Sequence, residues 1–590
     1  MIVELVGLSG SGKSTFARRL EKGERWTSVR IQARKELLWY ALLFVIRYPI
    51  SATQQIYYLC RYGSQRALWY TKFVNLFLVY NAKYMKARQS DHAIIDQGHM
   101  QNVISLFETV IPSEAIVRYV AVLPKPDVTV FFDIPAHIRH RRIQERGHGV
   151  REDIAKEVRR KWEEASATNF ATLLQSHGAC PSWVIAGDAD LDGLVAYLTA
   201  PTEIYYVLSA RMPTEKAYGN QTAVTCQELS RLGARVELWA PLRANPISAS
   251  VHEYYGLNTH FVTQLLPSHE FLFVKRFSKR LGYYLDALAY LLHLMLRRLP
   301  SGASVMVRKP EVAWLMKLKG QHVVYECHDW FGKFASIELA LLRRVDRIVV
   351  TNSFIRQRFV ENGFDENVIS VLPNAVDLSV FARTESKEEA LRMLKLEEQI
   401  PNIADKKLLL YTGSLRTMQV DKGVSDILSA LTLMKESQVF FCAVGGSAED
   451  IAFYERMASD LGVKDRVQFL PRATKNDLAL FQRASDIMLM PFPRKAHYEY
   501  FMSPLKTFEY MASGRPIIAS KLPSIMEVLG RDSALFCEPE NPSDLARKIQ
   551  LLLADAELST RLARGARQSV ERYDLTERAK RLLAVLAPAS

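Results

Sequence analysis

The stretch MIVELVGLSGSGKSTFARRL, residues 1–20, sets the reading of the fold. An apolar run, IVELV, leads into GLSGSGKS at residues 7–14, and a helical pattern studded with Lys and Arg follows. Strand, glycine-rich turn and helix in that order make a phosphate cradle. Glycines let the backbone turn tightly, so several amides converge on phosphate oxygens at a helix N-terminus. Lys13 adds a mobile cation and Ser14 a magnesium ligand. The predicted ATP-binding residues are Gly7, Ser9, Gly10, Ser11, Gly12, Lys13, Ser14 and Thr15.

Beyond this turn, strand-like runs keep alternating with helical patterns: HAIID from His92, DVTVFFDI from Asp127, SWVIAGD from Ser182. Such alternation is the mark of parallel α/β sheets, because each crossover needs a helix to cover the sheet. Near Ala200 a second series opens with IYYVLSA and runs through RVELWAP, SVMVRKP, HVVYECHD and RIVVTNS. A third opens with KLLLYTG and runs through VFFCAVGG, RVQFLP, IMLMPF, RPIIAS and ALFCEP. The expected architecture is α/β in three domains, residues 1–200, 203–395 and 396–590, with residues 384–407 as a hinge region between the last two.

A chain of 590 residues, 48% hydrophobic, has material for several cores. Its net charge of +14 favours an anionic partner. Nucleic acid is not expected, since there is no basic tail, zinc-finger spacing or RNA-binding aromatic signature. Six scattered cysteines read as buried thiols in a reducing cytosol, and a strand at the very start predicts no signal peptide. Two apolar runs, LLWYALLFVI (residues 37–46) and YYLDALAYLLHLML (residues 283–296), are shorter than the ~20 residues a membrane-spanning helix requires. Both are expected as buried or partly buried helices. The second, next to Arg297 and Arg298, also suits attachment to the surface of an anionic membrane.

In the first domain, Asp96 ends the strand HAIID, at the sheet edge where ligands bind. It is a candidate for holding magnesium or accepting a proton from an attacking hydroxyl, and equally for a turn or helix cap. RHRRIQERGHGVRED supplies several arginines, of which Arg142 and Arg146, four apart on one helix face, are the candidate clamp for a transferring phosphoryl group. GLSGSGKST, the DQG that follows the strand HAII, and PDVTVFFDIPAHIRHRRIQERG together resemble the thymidylate-kinase-like group of P-loop kinases over residues 1–195. That resemblance implies ATP with Mg2+, the metal held by Ser14 and Asp96, and an Arg-rich lid. Val6 and Gln97 depart from the thymidylate kinases themselves, so thymidylate is not the expected acceptor.

A second phosphate-type text is SPLKTFEYMASGRPIIAS, residues 503–520: a loop, a helix, a glycine stop and a buried strand. A helix N-terminus attracts a diphosphate through its unpaired amides, and Glu509 is placed to meet a ribose hydroxyl pair. YTGSLRTMQVDKG puts Arg416 and Lys422 in a loop leaving a strand, two cations suited to a diphosphate leaving group. These motifs resemble the family-four glycosyltransferases of the GT-B fold, over residues 203–580. SARMPTEKAYGNQT, with Gly219, resembles the donor-facing glycine loop. YECHDW brings His328 to the position of an active-site histidine, and VLPNAVD and VGGSAED are further landmarks in order. The resemblance implies a nucleotide-sugar held by Gly219, Arg416, Lys422, Ser503, Lys506 and Glu509, with retention of configuration and no bound metal. Phe501 stands where that family has the first of two glutamates, with Glu499 nearby. DADLD, residues 188–192, reads as a turn and helix cap despite its DxD spelling.

The expected protein is a bifunctional cytoplasmic enzyme, an ATP-dependent kinase fused to a glycosyltransferase acting on a glycan or lipid-linked glycan acceptor. Asp96, Arg142, Arg146, His328, Arg416 and Lys422 are its candidate catalytic residues. The alternative keeps the transferase and makes the P-loop segment a non-catalytic ATP-sensing or acceptor-binding module.

Overall fold

The structure is a computed structural model. It describes the chain except residues 23–24, 63–65, 108, 146–155, 177–181, 201, 258–260, 269, 301–302, 333, 418–419, 435–437 and 588–590. The chain forms two compact units: Met1–Val305 with Lys319–Gln321, and Met306–Leu318 with His322–Ser590.

The first unit opens with β1 (Ile2–Gly7), α1 (Lys13–Glu21), β2 (Thr27–Ser28), α2 (Arg34–Arg47) and α3 (Pro49–Tyr62). β3 (Ala93–Ile95), β4 (Val128–Phe132) and β5 (Ser182–Ile185) complete a parallel sheet in the order β2-β3-β1-β4-β5. β1 is buried along its whole length. Val3 and Leu5 enter one core and Val6 another, the period-two alternation of a strand covered on both faces.

Within the same unit, β6 (Glu203–Val207), β7 (Arg235–Leu242) and β8 (Val262–Pro267) pair in parallel with β7 between the others. They pack tightly on the N-terminal sheet. Val262 joins the core of Val3, Leu5 and Phe16, the Tyr197 hydroxyl donates to the Val236 carbonyl (3.2 Å), and Arg25 pairs with Glu203.

β9 (Ser304–Val307) carries the chain into the second unit, where β10 (His322–Cys327), β11 (Arg347–Val350) and β12 (Ile369–Val371) pair in parallel. The remaining strands are β13 (Lys407–Thr412), β14 (Arg416–Thr417), β15 (Val420–Asp421), β16 (Val439–Val444), β17 (Val467–Leu470), β18 (Ile487–Met490), β19 (Ile517–Ser520) and β20 (Leu535–Cys537). Six of these form the parallel sheet β17-β16-β13-β18-β19-β20, and β14 and β15 make an antiparallel pair. Along β13, Leu408 and Leu410 face one core, Leu409 and Tyr411 the other.

Residues 37–46 form the partly buried helix expected of them, α2: Ala41 and Phe44 are buried, while Leu38, Trp39, Leu42, Val45 and Ile46 face solvent. A helix apolar on all sides cannot put every side chain into one core. In residues 384–407, the expected hinge region, lie helices Lys387–Met393 and Leu396–Gln399, and Leu391, Leu396, Ile400 and Ile403 are buried in the second unit's core. Cys60 is exposed, Cys226, Cys327, Cys442 and Cys537 are buried, and Cys180 lies outside the described residues. DADLD opens helix Asp188–Thr199, and Asp190 accepts from the Ala186 and Gly187 amides at 3.0 Å each, as a cap. Among the described residues no helix is long and apolar enough to cross a membrane.

Candidate functional site

Two clusters carry the predicted residues, one in each unit. In the first, the turn after β1 depends on glycine: Gly10 and Gly12 have φ of 77° and 100°, in the left-handed region. A Cβ on Gly10 would stand 2.6 Å from the Arg139 carbonyl oxygen, and one on Gly12 would stand 3.4 Å from the Arg142 guanidinium. The arginine-bearing helix Ala136–Glu145 therefore lies against the turn. Lys13 Nζ donates to the Gly7 carbonyl at 2.5 Å and the Leu8 carbonyl at 3.2 Å. Gly7 is fixed through both backbone groups by Gln101, at 3.1 and 3.2 Å.

Beside the turn lies a cavity of about 570 Å3 whose wall includes Ser14, Arg18, Arg30, Arg34, Lys83 and Asp96. Ser14 and Asp96 thus share one space. Asp96 is paired with Lys83 at 2.8 Å. Arg146 lies outside the described residues. Sequence reasoning missed Lys83, which sits on a helix with no motif around it, and Glu4. Glu4 is fully buried, accepts from the Met100 amide at 2.6 Å, and is pushed by burial up to about 7. A lone carboxylate inside the apolar run IVELV was the available signal.

In the second unit, β13 and β16 end at Gly413 and Gly445, with φ of 101° and 123°. A Cβ on Gly445 would stand 2.7 Å from the Gly413 carbonyl oxygen, and one on Gly413 would stand 3.5 Å from Lys506 Cε. Lys506, in the first turn of helix Leu505–Ser513, lies 3.5 Å from the Tyr411 ring centroid and 5.2 Å from that of Phe492. Its buried Nζ has no hydrogen-bond partner. Burial, with Lys422 nearby, holds its ammonium well below the ordinary lysine range. Lys422 donates to Ser414 Oγ at 2.8 Å and is likewise lowered by burial. Glu509, one turn further into the helix, is raised by burial to about 7 against the pull of Lys506 and Lys475. Lys475 was missed because its partner is distant in sequence.

Ser503 is held by Asn374, whose amide NH donates to Ser503 Oγ at 3.2 Å and whose side chain donates to the Ser503 carbonyl at 2.5 Å. Arg416 is turned onto Asp450 (2.6 Å) and Glu449 (3.2 Å) and stacks over Phe453 at 4.6 Å. His328 Nε2 stands 3.2 Å from Glu326 Oε2. Burial first, then Arg308, lowers its imidazole from the ordinary value. Phe501 lies against Trp330 at 6.4 Å. Gly219, in the first unit, sits at the start of helix Ala217–Arg231, where a Cβ would stand 2.2 Å from the Tyr255 hydroxyl and 2.4 Å from Thr214 Cγ2.

Comparison with known proteins gives this second cluster its class. Residues 394–569 match the family described as glycosyl transferases group 1, and residues 219–380 match glycosyltransferase family 4. These two segments are glycosyltransferase domains on a parallel α/β fold of the GT-B kind. Among curated relatives, D-inositol 3-phosphate glycosyltransferase of Xylanimonas cellulosilytica is 29% identical over 231 residues, 39% of this chain and 53% of that one. The chain spans about half the length of the curated relatives it matches. Among solved structures, Anabaena HepE in complex with UDP and glucose aligns with a TM-score of 0.50 at 16% identity, covering 66% of this chain and 100% of that one. Sucrose-phosphate synthase from Thermosynechococcus elongatus aligns at 0.50 and 18% identity, covering 65% and 98%.

Proposed function

We propose that this chain transfers a sugar, with retention, from a nucleotide-sugar to a glycan or lipid-linked glycan acceptor, and that its N-terminal segment phosphorylates a sugar or glycan acceptor with ATP. The observation that carries the transferase reading is Lys506, a buried ammonium without a hydrogen-bond partner at the start of a helix and beside two glycine turns. Two lysines brought together in a desolvated place repel each other, and a diphosphate there would relieve both while accepting the unpaired amides of the helix. Ser414, Lys422, Ser503 and Lys506 would grip the diphosphate, and Glu509 as a carboxylate would accept from the ribose hydroxyls. Arg416 would serve the leaving group by exchanging Asp450 and Glu449 for phosphate oxygens. His328, neutral and oriented by Glu326, would face the sugar and acceptor. Such a donor site needs no bound metal, because the lysines supply the positive charge. HepE was crystallised with UDP and glucose, which makes UDP-sugars the first donors to try.

For the first unit, the turn at residues 7–14 and the cavity shared by Ser14 and Asp96 support ATP handling. Magnesium, when bound with ATP, would supply charge neutralisation and would be held by the Ser14 hydroxyl together with phosphate oxygens. Lys13 would steady the terminal phosphates and Arg142 would draw developing charge. The ion pair between Lys83 and Asp96 favours the second reading, a non-catalytic ATP-sensing or acceptor-binding module, because the carboxylate oxygen that would meet an acceptor hydroxyl is already held by an ammonium. Attachment to the cytoplasmic face of a membrane through helix Lys279–Leu296, whose Leu281, Tyr284, Leu288, Leu292 and Met295 are exposed, belongs to the same proposal.

The test uses the full chain, since the N-terminal sheet shares a core with β8. A nucleotide-sugar that raises the melting temperature of the wild type and not of Lys506→Ala supports the reading. Equal shifts in both proteins overturn it.

A further inference from the structure

Helices α2 and α3 carry large apolar side chains into solvent at helical spacing. Leu38, Trp39, Leu42, Val45 and Ile46 follow one another along one stripe of α2, and Ile50 is exposed at the start of α3, with Ile46 68% and Ile50 72% exposed. Ile56 and Tyr57 are exposed further along α3. A run of this kind is larger than the scattered apolar residues of an ordinary surface and marks a contact site.

The charges around the stripe name the occupant. Between residues 34 and 62 the cations are Arg34, Lys35, Arg47 and Arg61, all exposed, and the single acid is Glu36. Glu36 is already paired with Lys86. Two helices that expose apolar side chains and an indole, and whose own charges are four exposed cations and one paired carboxylate, have the chemistry of a segment lying in the headgroup layer of an anionic bilayer. A second copy of this chain would bring the same four cations against themselves, which disfavours a face-to-face dimer.

We propose that the α2–α3 face docks on an anionic lipid bilayer. Its residues are other than those of helix Lys279–Leu296, and the proposal does not depend on that helix. It has a geometric consequence for the cavity beside the glycine turn. Ala33, Arg34 and Leu37, at the start of α2, line that cavity, so docking brings its wall to the level of the lipid headgroups, where a lipid-borne anionic acceptor would reach it.

Flotation of the full chain with equimolar phosphatidylglycerol–phosphatidylcholine vesicles tests this, with pure phosphatidylcholine vesicles as control. The variants are Trp39→Ser/Ile46→Ser/Ile50→Ser, which change exposed side chains only, and Leu281→Ser/Leu288→Ser in the other helix. The expected result is binding to the anionic vesicles that weakens with salt and falls about tenfold or more in the α2 variant, with the melting temperature unchanged. The Leu281→Ser/Leu288→Ser variant should retain the part of the binding that α2 supplies. Equal flotation of wild type and α2 variant overturns the proposal, as does binding lost only in the Leu281→Ser/Leu288→Ser variant. A wild type that does not float, or a dimer by light scattering that the α2 variant makes monomeric, overturns it as well, the latter in favour of a second copy.

Discussion

Arg578, on the last long helix (Leu575–Leu586), donates to Glu326 Oε1 at 2.7 Å, and so ties the end of the chain to the residue two before His328. Glu326 is fully buried. Burial alone would raise its carboxyl, yet Arg308, His328 and Arg578 together hold it well below the usual range. Replacing it by glutamine would take this carboxylate's charge away from the buried Arg578 and the half-buried Arg308. Glu326→Gln is expected to lose about 3 to 5 kcal/mol of stability, the size found when one partner of a buried ion pair is removed. Urea unfolding measures this, and a loss under about 1 kcal/mol would show the cluster to be hydrated rather than dry.

Donor binding should depend on pH through two groups of opposite sign. Glu509 has a carboxyl raised to about 7 in the free protein, and only as a carboxylate can it accept from two ribose hydroxyls through both oxygens with its charge. Affinity for a nucleotide-sugar should therefore weaken as pH falls below about 7, approaching tenfold per unit. Lys506, lowered well below the ordinary lysine value, must keep its proton to bind diphosphate, so affinity should weaken again on the alkaline side. Calorimetry over a pH series should show the acid limb set by Glu509 and an alkaline limb set by Lys506. In Glu509→Gln the acid limb should vanish and the alkaline limb remain. Coincident profiles for the two proteins would remove Glu509 from the site.

Much of this was legible in the chain itself because it is local. The glycines at positions 10 and 12 forecast a left-handed turn, and the apolar runs forecast strands buried on both faces. Lys506 and Glu509, three apart, forecast one face of one helix. Pairings between distant segments were not legible. Nothing in YTGSLRTMQVDKG says that Arg416 would meet Asp450, since the carboxylate arrives from a helix whose position depends on the whole sheet. Lys83 reaching Asp96 is the same kind of case. At α2 the apolar composition forecast a partly buried helix but could not say which side chains would face solvent, since Ala41 and Phe44 alone are buried.

A backbone contact gives a sharper stability test. Gly423 has φ of 92°, and a Cβ there would stand 1.7 Å from the Pro491 carbonyl oxygen. Since the neighbour is backbone, it cannot swing away. Gly462, with φ of 70°, has nothing within 4 Å of the same imagined atom. Gly423→Ala should then destabilise by about 3 kcal/mol or more, and Gly462→Ala by only about 1 to 2 kcal/mol, the left-handed strain alone. Similar losses at both positions would mean that the β15 turn relaxes away from Pro491.

The two readings of the first unit separate at Lys13. Its ammonium now donates into the turn's own carbonyls, Gly7 at 2.5 Å and Leu8 at 3.2 Å, and ATP would have to draw it outward onto phosphate. Lys13→Ala is expected to weaken ATP binding about 10- to 100-fold, the worth of one or two charge-assisted hydrogen bonds. Sugar transfer should continue in that variant, because the donor cluster is built from other residues. With ATP labelled at the γ-phosphate, label appearing in a glycan acceptor with wild type and not with Lys13→Ala would establish phosphoryl transfer. Tight ATP binding with no label leaving it would favour the sensing module, in keeping with Asp96 held by Lys83. If neither protein binds ATP, the strand, turn and helix at residues 2–21 serve some other anion, and the ATP-handling reading of the first unit falls.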